Sequence, residues 1–172
     1  MKRRIFTSLL LALLSYPVAA DKLARVTLHT LFEEASRAAV VDVESARLVE
    51  GGCGVKYTAL VVEPLKNATK GMHVTVSDSY LRSAGLRVGK TFVLFEGKDA
   101  KCGDIVSHAG YAAFAIESPL LVDYKTAVRI PKSYVELPAG LPLQAGHRRD
   151  EDSTEVEWVE TTAFLEQWKN KK

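Results

Sequence analysis

Two cysteines and four histidines are the residues of this chain best suited to chemistry. A zinc site needs about four convergent ligands. His29, His73, His108 and His147 are scattered, with no pair at helical or turn ligand spacing, and Cys53 and Cys102 stand alone rather than as Cys-x-x-Cys. We therefore expect no metal and no other cofactor. Cys53 with a remote histidine would make a thiol nucleophile, but glycines flank it and a second cysteine is there to pair with it. The serines form no Gly-x-Ser-x-Gly elbow. The glycines between Gly51 and Gly54 lack the spacing of a phosphate-binding loop or a dinucleotide fingerprint. An acidic dyad such as Asp42 with Glu44 lies on an exposed strand face, where solvation accounts for it. No set of residues converges on a reaction, and we expect a protein that is not an enzyme.

The first 20 residues explain the apparent charge. Lys2, Arg3 and Arg4 precede an apolar run, Ile5–Leu14, and Val18-Ala19-Ala20 supplies small residues before a cleavage point. This is the pattern of a signal peptide over residues 1–20, and the apolar run is short for a bilayer span. The formal charge of +2 comes from 23 basic and 21 acidic residues. Three of the basic ones lie in that segment, which leaves 20 against 21. Such a balance gives no electrostatic case for nucleic acid or an anionic membrane. The expectation is export to the periplasm or beyond, with no membrane attachment after cleavage. In that setting an even cysteine count points to a Cys53–Cys102 disulfide, worth about 4 kcal/mol by the loop-entropy model.

The remaining 152 residues suffice for one domain. The central stretch is GGCGVKYTALVVEPLKNATKG, Gly51–Gly71. Val55, Tyr57, Ala59 and Val61 share one strand face, and Leu60 and Val62 make the other face apolar towards the end. Pairing should weaken at Pro64. Upstream, Thr30-Leu-Phe-Glu33 has capping-box spacing and predicts a short helix over Leu31–Arg37. Ala38–Leu48 reads as a strand whose register shift at Ala46 and Leu48 hints at a bulge or a strong bend. Downstream, His73–Ser79 alternates, with Val74 and Val76 inward. Thr91–Phe95 is a buried strand that Gly97 should end. Tyr111–Glu117, Val122–Ile130 and Ser133–Leu137 are further strand segments. Pro138–Ser153 is a solvated loop with a charge run. Phe164, Leu165 and Trp168 predict a terminal helix over Thr162–Lys169. We expect a β-rich α+β protein.

The order of these pieces resembles a known family. A short helix leads to AAVVDVESARLV, a cysteine turn, YTALVVEPLK, the alternating strand HVTVSDS, Gly-Leu-Arg-Val-Gly-Lys, Phe-Val-Leu-Phe and a second cysteine. It is similar to the netrin-like (NTR) OB-fold domain of the tissue inhibitors of metalloproteinases (TIMP), as found in uncharacterised bacterial exported proteins, over roughly Leu31–Ile116. The resemblance implies an OB-like five-stranded barrel with a short N-terminal helix and a C-terminal helical extension. The domain would cover residues 21–138, with a loop and helix over 139–172. The family's animal inhibitors carry an N-terminal cysteine that reaches the protease zinc. Here the mature chain would begin Asp21-Lys22-Leu23, which lacks that chelating wedge.

An OB barrel suggests nucleic acid through aromatics and a basic groove. Tyr57, Phe92 and Phe95 instead belong to apolar runs, and Lys66, Lys70, Arg82, Arg87 and Lys90 are ordinary turn residues. The functional expectation is an exported non-catalytic binding module whose partner is another protein. The alternative is a proteinaceous inhibitor of a secreted hydrolase. Among loops 50–54, 80–89 and 97–102, Tyr80, Leu81 and Leu86 are the apolar residues expected to be exposed for binding.

Overall fold

The computed structural model describes residues 25–78, 85–107, 112–117, 126–132, 134–144 and 156–169. The expected signal peptide, Asp21, Tyr80, Leu81, Arg82, His108 and His147 lie outside these residues. Eleven strands and two helices are described. They run β1 (Val26–Thr27), α1 (Leu28–Glu34), β2 (Arg37–Leu48), β3 (Val55–Lys66), β4 (His73–Asp78), β5 (Thr91–Asp99) and β6 (Gly103–Val106). Then come β7 (Ala113–Glu117), β8 (Ala127–Pro131), β9 (Val135–Glu136), β10 (Leu143–Gln144), β11 (Val156–Glu160) and α2 (Thr161–Lys169).

Five of the strands close a barrel. β2 pairs antiparallel with β3 and β5, and β3 pairs antiparallel with β4. β4 meets β6 in parallel at Ser77–Ile105, and β6 returns antiparallel to β5. This is the OB-like barrel in a β-rich α+β fold. β5 is its branch point. One edge carries β2. The other carries β7 beside Phe92–Leu94 and β6 beside Glu96–Asp99. From β7 the sheet continues through β8 and β11 to β10.

Alternation along β5 divides the buried side chains between two layers. Phe92 and Leu94 face the same way as their partners Val41 and Ala39, and Val41 in turn registers with Val61. Tyr57, Ala59, Val61, Val74 and Val76 continue that face and are all buried, as expected. Val93 and Phe95 are buried too, but on the opposite face. There Phe95 meets Phe114 of β7 edge-on at 5.8 Å and Trp168 of α2 at 6.1 Å. Leu31 is buried, and Phe32 stacks on Trp168 at 4.6 Å. Phe32 therefore joins the helical layer over β5. Lys66 of β3 fastens the end of α1, donating to the Phe32 and Glu33 carbonyls at 2.8 Å each.

Several boundaries moved for local reasons. Helix α1 starts one turn earlier than predicted because Thr27, not Thr30, caps it: the Thr27 hydroxyl accepts from Thr30 N at 3.1 Å. β3 continues past Pro64 to Lys66, with the irregularity absorbed by a register shift at Ala38/Ala39. β5 runs through Gly97 to Asp99 because β6 pairs with that part of it. Ser77 points away from Val74 and Val76 as expected, yet it is covered rather than solvated. Segment 139–172 supplies more than a loop and a helix. β11 extends the sheet from β8, and Phe164, Leu165 and Trp168 seal the face of β5.

Candidate functional site

The strongest candidate is the pair of hairpin turns joined by the disulfide. In the β2–β3 turn, Gly51, Gly52 and Gly54 all have positive φ, a conformation glycine adopts without the clash a Cβ would bring. Val49 N closes the turn on the Gly54 carbonyl at 2.9 Å. Cys53 in this turn is bonded to Cys102 in the β5–β6 turn, with their Cα atoms 5.5 Å apart. The second turn is held by Asp99. Its carboxylate accepts from Cys102 N at 2.7 Å and Lys101 N at 2.8 Å, and these bonds hold it below the usual carboxylate range. Lys101 reaches back over Gly52. Two loops far apart in sequence are thus one covalently tied surface.

That surface presents apolar and basic side chains. Leu48, the last residue of β2, is 74% exposed. The whole end of β2, Glu44–Leu48, is exposed, and it extends beyond the part paired with β5, which stops at Asp42. Arg47 lies directly opposite Lys56 on β3, so two like charges share one face.

Of the expected binding residues, Leu86 is only 5% exposed and belongs to the hydrophobic core. It is not a presented loop residue. The physical reason is the anchoring of its turn on β2. Gly89 N donates to the Val43 carbonyl at 2.8 Å and Val43 N to the Lys90 carbonyl at 3.0 Å. Leu86 goes under and Val88, 53% exposed, is the apolar residue left outside. Reading the sequence missed both Leu48 and Val88. The available signal for Leu48 was its place just before a Gly-Gly turn that must leave the barrel.

A buried polar group lies on the same β5–β6 hairpin. Glu96 is 1% exposed and accepts from Arg37 at 3.0 Å. Burial, above all, pushes its carboxyl from the ordinary 4.5 up to about 7. The Arg37 guanidinium opposes the rise, Asp104 adds to it and Lys98 reduces it. Lys98 and Asp104 pair with each other across the ladder. Tyr57 is also shifted upward, by burial first and by Asp78 second.

The other residues considered for chemistry are dispersed. Asp42 accepts from Thr91 Oγ1 at 2.6 Å, whereas Glu44 lies 3.1 Å from His73 Nε2. They do not form a dyad. His29 contacts Glu33 one helical turn away at 2.9 Å. Among the described residues no three His, Cys, Asp or Glu side chains gather to hold a metal ion. No described helix is long and apolar enough to cross a membrane. No protein-family model, no curated protein and no solved structure matches this chain.

Proposed function

We propose that this is an exported, non-catalytic OB-type module that binds another protein through its disulfide-tied hairpin surface. The observation that carries this reading is Leu48. A large apolar side chain, 74% exposed, stands at the end of β2 beside a turn that a covalent bond holds in place. Exposed leucines occur singly on many surfaces, but a stiffened loop loses little entropy on binding and so favours recognition. The disulfide fits an oxidising compartment, which agrees with the signal-like N-terminus. The resemblance to the NTR domain of metalloproteinase inhibitors supports a binding role, while Asp21 in place of their cysteine counts against zinc chelation.

The test is affinity capture from envelope fractions with the wild-type protein and Leu48→Glu. The expected result is a partner without hydrolase activity, retained by the wild type and lost by the variant. Retention of the same partner by both proteins would remove the hairpin from the binding surface. Stoichiometric inhibition of a secreted hydrolase by the pure protein would replace the module reading with the inhibitor reading.

A further inference from the structure

Among the described residues, the end of β2 is an open sheet edge. Up to Asp42 one side of β2 is paired with β5, and Val43 is bonded to Gly89 and Lys90. Beyond that, residues 45–48 pair with β3 on one side, and on the other side no described strand joins them. All four are exposed. An unpaired edge presents backbone N–H and C=O groups to any extended chain that can approach.

The side chains around this edge select what can approach. Register is continuous from Ala46 to Leu48, so Ala46 and Leu48 lie on one face and Arg47 on the other, next to Lys56. Like charges directly opposite each other on a sheet repel. Among the described residues no acid is ion-paired with either Arg47 or Lys56. A strand laid along this edge would alternate its side chains between the two faces. Its residues on one face would lie beside Arg47, with Lys56 one strand further away, and those on the other would meet Ala46 and Leu48. A second copy of the same edge would bring Arg47 against more positive charge and is disfavoured.

From this juxtaposition we infer that the edge of β2 at residues 45–48 accepts an extended segment of a partner protein in which acidic and apolar residues alternate. Main-chain hydrogen bonds give such strand addition its affinity, and the alternating side chains give it specificity. The Cys53–Cys102 bond ties down the turn that follows the edge, so the segment meets a preformed strand. This deepens the function proposed above, because it rests on the hairpin being the binding surface and names the chemistry of what binds there.

The experiment uses the full-length, oxidised protein and a fluorescent peptide of about ten residues with alternating Glu and Val, a length that exceeds the edge by a few residues at either end. Controls are a peptide of the same composition in two blocks and an alternating Lys–Val peptide. Anisotropy gives the affinity, and amide hydrogen exchange locates the contact. The expected result is saturable binding of the alternating Glu–Val peptide alone, with new protection confined to residues 45–48 and their neighbours. Arg47→Glu and Leu48→Lys, each verified by an unchanged thermal transition, should weaken binding about tenfold or more. Absence of saturable binding, equal binding of the block peptide, indifference to Arg47→Glu, or protection at another strand would each overturn the inference. A natural partner captured equally by the wild type and by Arg47→Glu, yet lost in Leu48→Glu, would leave the binding module standing and reject strand addition.

Discussion

Replacing Glu96 with glutamine should flatten the pH dependence of stability between about pH 4.5 and 7. Glu96 is buried, and its folded-state carboxyl titrates at about 7 against an ordinary value of 4.5. Below 4.5 the group is protonated in both the folded and unfolded chains and costs nothing extra. As pH rises above 4.5 the unfolded chain ionises while the folded chain still holds its proton, and stability falls. The loss is complete once pH passes the folded value near 7. At roughly 1.4 kcal/mol per pH unit, the difference amounts to about 3 kcal/mol. The groups facing Glu96 are Arg37 from β2, Asp104 from β6 and Lys98 from its own strand. All three remain in the Gln variant, so the difference between the two profiles isolates the one carboxyl. The assay is urea unfolding at a series of pH values from 4 to about 8.5, analysed by linear extrapolation. The wild type should lose about 3 kcal/mol relative to the variant across that window, with most of the change below pH 7. Parallel profiles would show either that Glu96 is solvated, against its assigned burial, or that Arg37 fully offsets the cost of burying it.

Phe95→Ala should destabilise the fold by about 3–5 kcal/mol, because the ring is fully buried between Phe114 and Trp168. A change below about 1 kcal/mol in the same assay would contradict the two-layer packing around β5. Replacing both Cys53 and Cys102 with serine should cost about 4 kcal/mol, given a sequence separation of 49. If reductant leaves the wild-type midpoint unchanged, the bond is absent or contributes nothing to stability. In an intact protein, non-reducing peptide mapping should recover Cys53 and Cys102 on one linked fragment.

Much of the barrel was legible because its strands follow local rules. The alternation from Val55 to Val61 and from Val74 to Val76 sets which side chains point inward whatever the neighbouring strand is. The pairing of Cys53 with Cys102 followed from an even count and the expectation of export, and the structure brings the two turns together. Helix α2 was visible in the spacing of Phe164, Leu165 and Trp168, because a helical face is also a local property. Strand β6, which closes the barrel, was not. Asp104-Ile105-Val106 is too short to carry a period, and what makes it a strand is pairing with β5 and β4.

The candidate site was harder to read, because exposure is set by segments distant in sequence. Leu86 and Val88 lie two residues apart in one glycine-bounded turn, and both are apolar. Only the hydrogen bonds that pin this turn to Val43 decide that the first is buried and the second exposed. The end of β2 is similar. Its residues resemble any strand end, but the pairing with β5 ends at Asp42, and among the described residues Ser45–Leu48 have one open edge. The sequence by itself determined the period and facing of each long strand, the helical spacing near the C-terminus and the availability of one disulfide, since these depend on neighbours in the chain. Tertiary structure alone decided that Glu96 is buried, that Arg47 and Lys56 share a face on which no described acid is ion-paired with either, and that Leu48 is presented. Each of those depends on which strands lie alongside and where they end, and backbone hydrogen bonds between distant segments carry no residue-specific code in the sequence.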